Sequence, residues 1–129
     1  MNKLIPLLFF VLILFGCKKV SGEGGSSTIK GVVIEQLYNS LGNVIAEYPS
    51  PDQDVFIIYG EKSSYYDDDI STSYDGTFEF RYLQKGKYSV FVYEDCSSCL
   101  SGKKEKLVEV EITEKNQVVD LDTIYIKKL

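Results

Sequence analysis

Histidine is absent from this sequence. It is the usual general base near neutral pH and the commonest protein ligand of metal ions. Its absence excludes histidine-containing triads, cysteine–histidine pairs and histidine-ligated zinc. A phosphate-binding glycine loop and a serine nucleophile elbow are also missing. We therefore predict that the chain is not an enzyme and holds no cofactor or metal.

Basic residues are in deficit, with 14 Lys and Arg against 19 Asp and Glu, which gives a net charge of −5. An acidic surface repels phosphate backbones. We therefore expect no nucleic acid partner.

Long helix-forming stretches are missing after residue 17. The chain is 44% hydrophobic, with ten Tyr and seven Phe, and this composition favours an ordered fold. Its Val, Ile, Thr, Tyr and Phe suit half-buried strands.

The apolar run from Leu4 to Phe15 is too short to span a bilayer, which needs about 20 residues. It follows Lys3 and has the length of a signal-peptide core. It ends in Leu14-Phe15-Gly16-Cys17, which resembles the lipobox of bacterial lipoproteins. That resemblance implies cleavage before Cys17, acylation of this cysteine and, because Lys18 follows it, anchoring in the outer membrane.

Three segments follow from this interpretation. Residues 1–16 form the signal peptide, and residues 17–27 comprise the lipidated cysteine and a flexible Gly/Ser-rich tether. Residues 28–129 form one domain.

Short apolar runs separated by turn residues predict the strands of this domain. Asp75-Gly76 predicts a type I′ hairpin between the runs on either side. Phe78, Phe80 and Tyr82 are expected to share one face. Val44–Tyr48 is read as a strand or an extended connection. The predicted strands are Thr28–Tyr38, Val44–Tyr48, Val55–Tyr59, Asp67–Tyr74, Thr77–Tyr82, Lys87–Glu94, Leu107–Thr113 and a last one through Val119 and Ile126.

The last strand changes phase, with Val119 and Leu121 apolar at odd positions but Ile124 and Ile126 at even ones. This slip predicts a bulge near Asp122-Thr123. The strand count and short connections predict an all-β fold, an antiparallel two-sheet β-sandwich of about seven strands.

The pattern Asp75-Gly76-Thr77-Phe78-x-Phe80, followed by Leu83-x-x-Gly86-x-Tyr88-x-Val90, resembles the carboxypeptidase regulatory-like domains. The resemblance covers residues 28 to 127. These domains are transthyretin-like sandwiches related in shape to Cna protein B-type repeats. The resemblance implies an accessory, spacer or binding module.

Cys96-Ser97-Ser98-Cys99 is open to three interpretations: a local disulfide, a redox pair or half of a zinc site. The polar loop around it and the oxidising cell envelope favour the disulfide.

Two further clusters carry alternatives. Asp67-Asp68-Asp69 is read as an acidic edge strand rather than a calcium site, because alternate residues of a strand point apart. Tyr65-Tyr66 is the best candidate for a binding patch, although tyrosine also suits strand surfaces.

These features lead to one main functional hypothesis, a non-catalytic lipid-anchored module that docks another envelope protein. The alternative is a carbohydrate-binding module that uses Tyr65 and Tyr66. A thiol-redox protein that uses Cys96 and Cys99 is the third hypothesis.

Overall fold

The computed structural model describes residues 20–61 and 64–129. The predicted signal peptide, residues 1–16, and the predicted lipidation site, Cys17, lie outside this range. The described part contains eight strands and no helix that could cross a membrane. The strands are β1 (Glu23–Tyr38), β2 (Val44–Pro49), β3 (Asp54–Tyr59), β4 (Asp68–Ser71), β5 (Thr77–Leu83), β6 (Gly86–Asp95), β7 (Lys103–Ile112) and β8 (Val118–Lys128).

The strands form two sheets of four, which confirms the predicted all-β two-sheet fold. In the first sheet, the long β1 pairs with β8 along one edge and with β5 and then β2 along the other. The second sheet has the order β4-β3-β6-β7. All pairs are antiparallel except β1–β8, which is parallel. Val44–Pro49 is therefore a strand rather than an extended connection.

The core lies between the sheets and follows the alternation read from the sequence. In β3, Val55 and Ile57 are fully buried, and β6 contributes three inward residues. β3 is an inner strand of its sheet, paired with β4 on one edge and with β6 on the other, as its continuous apolar run predicts. The buried cluster comprises Ile29, Val33, Val55, Ile57, Phe78, Phe80, Leu83, Tyr88, Val90, Val92, Ile112, Ile124 and Ile126.

The predicted bulge in the last strand is confirmed. Lys30 pairs with Asp120, whereas Val32 pairs with Thr123, so β8 carries one extra residue. Asp122 absorbs it with a φ of 58°. The bulge brings Ile124 to the core face, which Val119 and Leu121 line before it.

The hairpin predicted across Asp75-Gly76 is wrong. β4 pairs with β3, whereas β5 pairs with β1 in the other sheet, so this turn carries the chain between sheets. Gly76 has a φ of 80°, but Asp75 is not among the residues with positive φ, and a type I′ turn needs two. A Cβ at Gly76 would lie 2.4 Å from the carbonyl oxygen of Val33, so the crossing requires glycine.

Tyr82 does not share the buried face of Phe78 and Phe80. Its φ of 58° interrupts the alternation, and its side chain is 69% exposed. Leu83 takes the core position instead and is buried.

The predicted tether also differs from the structure. Residues Glu23 to Ser27 form the start of β1, with Glu23 and Ser27 both paired to Leu83. A Cβ at Gly25 would lie 2.1 Å from the carbonyl oxygen of Leu83. Glycine and serine allow close backbone packing here, although the Gly/Ser content of the segment predicts a flexible tether.

Candidate functional site

An aromatic cluster covers the outer face of the second sheet. Tyr88, Val90 and Val92 of β6 point into the core, so Phe91 and Tyr93 point outward. Phe91 lies opposite Phe56 of β3, and their rings stack with centroids 5.0 Å apart. The ring of Tyr93 packs edge-on against Phe91 at 5.5 Å.

The loop between β3 and β4 brings one of the predicted tyrosines onto this cluster. The Tyr66 ring packs on Phe56 with centroids 4.7 Å apart, and its side chain remains 52% exposed. Tyr65 is 83% exposed beside it. The structure thus places both predicted residues at one site and adds Phe56, Phe91 and Tyr93.

The rings border a depression of about 470 Å³. Its lining is mostly aromatic and aliphatic, with a carboxylate from Glu105 of β7 and a hydroxyl from Ser64. Tyr93 pairs with Glu105 in the sheet register, so this carboxylate stands beside the Tyr93 ring. Aromatic side chains with convergent polar groups beside them are typical of small-ligand sites, and here the polar surface exceeds the apolar surface. We call Phe56, Tyr65, Tyr66, Phe91, Tyr93 and Glu105 the aromatic face.

A larger cleft of about 670 Å³ opens between β4 and β5. Each of these strands pairs on one side only in the part of the chain that the structure describes. The rim carries Asp68, Asp69 and Arg81, and Arg81 pairs with Glu79 at 2.7 Å. The cleft therefore exposes two sheet edges with charged rims.

Tyr59 lines this cleft together with Asp68 and Asp69. Burial, and then the negative charges of Asp68 and Glu23, raise the pKa of Tyr59 to about 12. Its backbone N–H donates to the Asp67 carboxylate at 2.7 Å. Asp68 and Asp69 lie in the edge strand β4, as predicted for an acidic edge. Within residues 20–61 and 64–129, no group of three or more Asp, Glu or Cys side chains is placed to hold a metal ion.

Cys96 and Cys99 are joined by a disulfide in the loop between β6 and β7. Hydrogen bonds from Cys99 N to the Cys96 carbonyl and from Cys96 N to the Gly102 carbonyl close this loop. Just before it, hydrogen bonds from Lys103 and from the backbone N–H of Leu129 lower the pKa of Asp95. The disulfide therefore closes a loop, whereas a redox Cys-x-x-C pair usually stands at the N-terminus of a helix.

No protein-family model matches the chain, and no curated protein sequence matches it significantly. Among solved structures, the chain is similar to a "putative carbohydrate binding protein" from Pseudomonas aeruginosa. The TM-score is 0.49 at 12% identity, over 84% of this chain and 92% of that one. It is also similar to (S)-allantoin synthase, with a TM-score of 0.41 at 8% identity, over 81% of this chain and 42% of that one. Similarity this low assigns no function, and the regulatory-like resemblance stays a prediction.

Proposed function

We propose that this chain is a non-catalytic glycan-binding module held at the outer membrane by acylated Cys17. The observation that carries the glycan-binding part is the aromatic face. There, the partly exposed rings of Tyr66 and Tyr93 border a depression that also contains the Glu105 carboxylate.

The chemistry of the aromatic face suits a sugar ring. The flat faces of Tyr66 and Tyr93 offer apolar area for the C–H groups of a pyranose, while their hydroxyls remain able to hydrogen-bond. Glu105 accepts hydrogen bonds from sugar hydroxyls. Packing against Phe56 and Phe91 holds both tyrosine rings before binding, which lowers the entropic cost of ordering them.

Retention of the purified protein on immobilised polysaccharides tests this function. We expect Tyr66→Ala and Tyr93→Ala to weaken retention at least tenfold, which corresponds to about 1.4 kcal/mol. Tyr74→Ala is the matched control, because Tyr74 is 89% exposed and lies outside the depression. Equal losses in all three variants, or no retention of the unmodified protein on any polysaccharide, would refute the proposal.

Anchoring is tested separately from binding. We expect radiolabelled palmitate to be incorporated into the unmodified protein and not into Cys17→Ser, and the labelled protein to fractionate with the outer membrane. Absence of label would refute anchoring and leave the glycan result unaffected.

Docking of an envelope protein is the second candidate, and the cleft between β4 and β5 favours it. Exposed sheet edges are templates for strand addition by a partner. Crosslinking in native membranes followed by mass spectrometry tests this. One stoichiometric partner linked near Asp69 or Lys30 would support docking, and recovery of nothing above background would refute it.

A further inference from the structure

The segment that follows the predicted lipidation site is fixed to the domain. The backbone N–H of Gly22 donates to the Tyr88 hydroxyl at 2.9 Å, and Gln84 N donates to the Gly22 carbonyl at 2.8 Å. The side-chain amide of Gln84 also donates to the Glu23 carbonyl at 2.7 Å. Together these bonds hold the segment against the turn between β5 and β6.

A second turn holds the same segment from its other side. Asn116 N donates to the Ser26 hydroxyl at 3.1 Å, and the Ser27 hydroxyl donates to the Glu114 carbonyl at 2.9 Å. Ser27 is 1% exposed. The chain is therefore docked from Gly22 onward on the turns β5–β6 and β7–β8.

This docking shortens the tether and fixes which end of the domain is near the anchor. Five Cα–Cα steps separate Cys17 from Gly22, the first docked residue, and they span at most roughly 18 Å. The end with the turns β5–β6 and β7–β8 therefore lies within that distance of the acylated residue. The disulfide loop lies at the other end, because β6 runs away from Gly86 and ends at Asp95.

The anchor-proximal end contains a depression of about 330 Å³ between the two turns. Exposed Lys85 and Lys115 line it, whereas the exposed Glu114, which precedes Lys115 in the same turn, is not among its lining residues. Glu23 lines the cleft beside β5 instead. The remaining lining comes from Gly24, Gly25, Ser26, Ser27, Leu83 and Gln84. Two ammonium groups beside a small-residue surface suit the phosphate of a lipid head group.

We infer that this end of the domain rests on the lipid head groups and that Lys85 and Lys115 bind their phosphates. The inference depends on the proposed anchoring of Cys17 and is independent of glycan binding. It deepens the proposed function, because it fixes the domain in one orientation on the membrane with the disulfide loop pointing away.

Photo-crosslinking of the full chain in its native membrane, with the cellular phosphate radiolabelled, tests this orientation. A photoreactive amino acid replaces Thr113 at the anchor-proximal end or Leu100 at the opposite end, both exposed. We expect at least fivefold more labelled phospholipid on the Thr113 reporter. Equal yields at the two positions would overturn the inference.

Charge reversal then tests the two lysines. With the Thr113 reporter, we expect Lys85→Glu combined with Lys115→Glu to lower the phospholipid yield at least threefold. The control combines Lys103→Glu with Lys106→Glu, an equal change of charge on exposed side chains of β7, and should leave the yield unchanged. Equal effects of the two pairs would overturn the role of Lys85 and Lys115.

The possible failures are distinguishable. If Cys17 carries no palmitate, the proposed anchoring is refuted, and the inferred orientation is refuted with it. With palmitate present and equal reporter yields, the orientation alone fails. Retention on polysaccharide, measured on the same preparations, reports on the aromatic face independently of both.

Discussion

Replacing Tyr88 by phenylalanine removes one hydroxyl from the point where the N-terminal segment meets the sandwich. Tyr88 is 1% exposed. Its hydroxyl accepts a hydrogen bond from Gly22 N at 2.9 Å and donates one to the Gln84 carbonyl at 2.6 Å. The variant keeps the ring and its packing on Tyr59, so the loss is confined to the contacts of this hydroxyl, which also lies 3.3 Å from the Gly22 carbonyl oxygen.

The expected cost follows from the group left without its partner. A buried backbone N–H that loses its acceptor costs about 1–3 kcal/mol, and the Gly22 N–H is such a group. A loss of about 2 kcal/mol corresponds to a fall in Tm of about 8–16 °C for a domain of roughly 100 residues. Because Gly22 is released, exchange of the amide hydrogens near it should also accelerate.

Thermal unfolding and hydrogen exchange measured on the same samples check both parts. Tyr74→Phe is the control, since Tyr74 is 89% exposed and its hydroxyl loss should change Tm little. An unchanged Tm in Tyr88→Phe, or a lower Tm without faster exchange at residues 21–25, would refute the reasoning that this hydroxyl fixes the tether.

Three further predictions concern stability. Burial raises the pKa of Tyr59 to about 12 and that of Tyr88 above its ordinary value, so the folded state keeps protons that the unfolded state releases. Stability should therefore be full below pH 10 and fall between about pH 10 and 12, with a smaller fall in Tyr59→Phe. Glu94→Ala should cost about 2 kcal/mol in urea unfolding, because the buried Glu94 carboxylate accepts from Lys127 N at 2.9 Å and ties β8 to β6. Cys96→Ser with Cys99→Ser should cost at most about 2 kcal/mol, since the disulfide closes a small ring, and should leave polysaccharide retention unchanged.

Each of these measurements has its own control. Below pH 9, the pH dependence of the free energy of unfolding should be the same in Tyr59→Phe and in the parent protein, because the phenol carries no charge there in either state. Glu109→Ala serves for Glu94→Ala, since Glu109 is exposed on β7. The reasoning about β8 fails if these two glutamate variants unfold at the same urea concentration. A loss of polysaccharide retention in the double serine variant would connect the disulfide loop to binding and contradict the assignment of the aromatic face.

Part of the aromatic face could be predicted from the sequence. Tyr65 and Tyr66 stand out as adjacent aromatics in a polar loop. Phe91 and Tyr93 are out of phase with the core residues Val90 and Val92, which predicts that they face outward. What alternation does not predict is that Phe56 lies opposite Phe91, because cross-strand register depends on which strands pair.

Apolar alternation and its phase predict the two-sheet all-β class, the approximate positions of the strands and the bulge at Asp122, because both are local properties of the sequence. The sequence pattern does not predict that β4 and β5 belong to different sheets, that β8 runs parallel to β1, or that Gly22 to Ser27 are docked. These outcomes depend on contacts between distant residues, such as Gly22 with Tyr88, 66 positions apart, and Ser26 with Asn116, 90 positions apart. Such contacts form only when both sheets have assembled, so they cannot be predicted from the local pattern of apolar and polar residues.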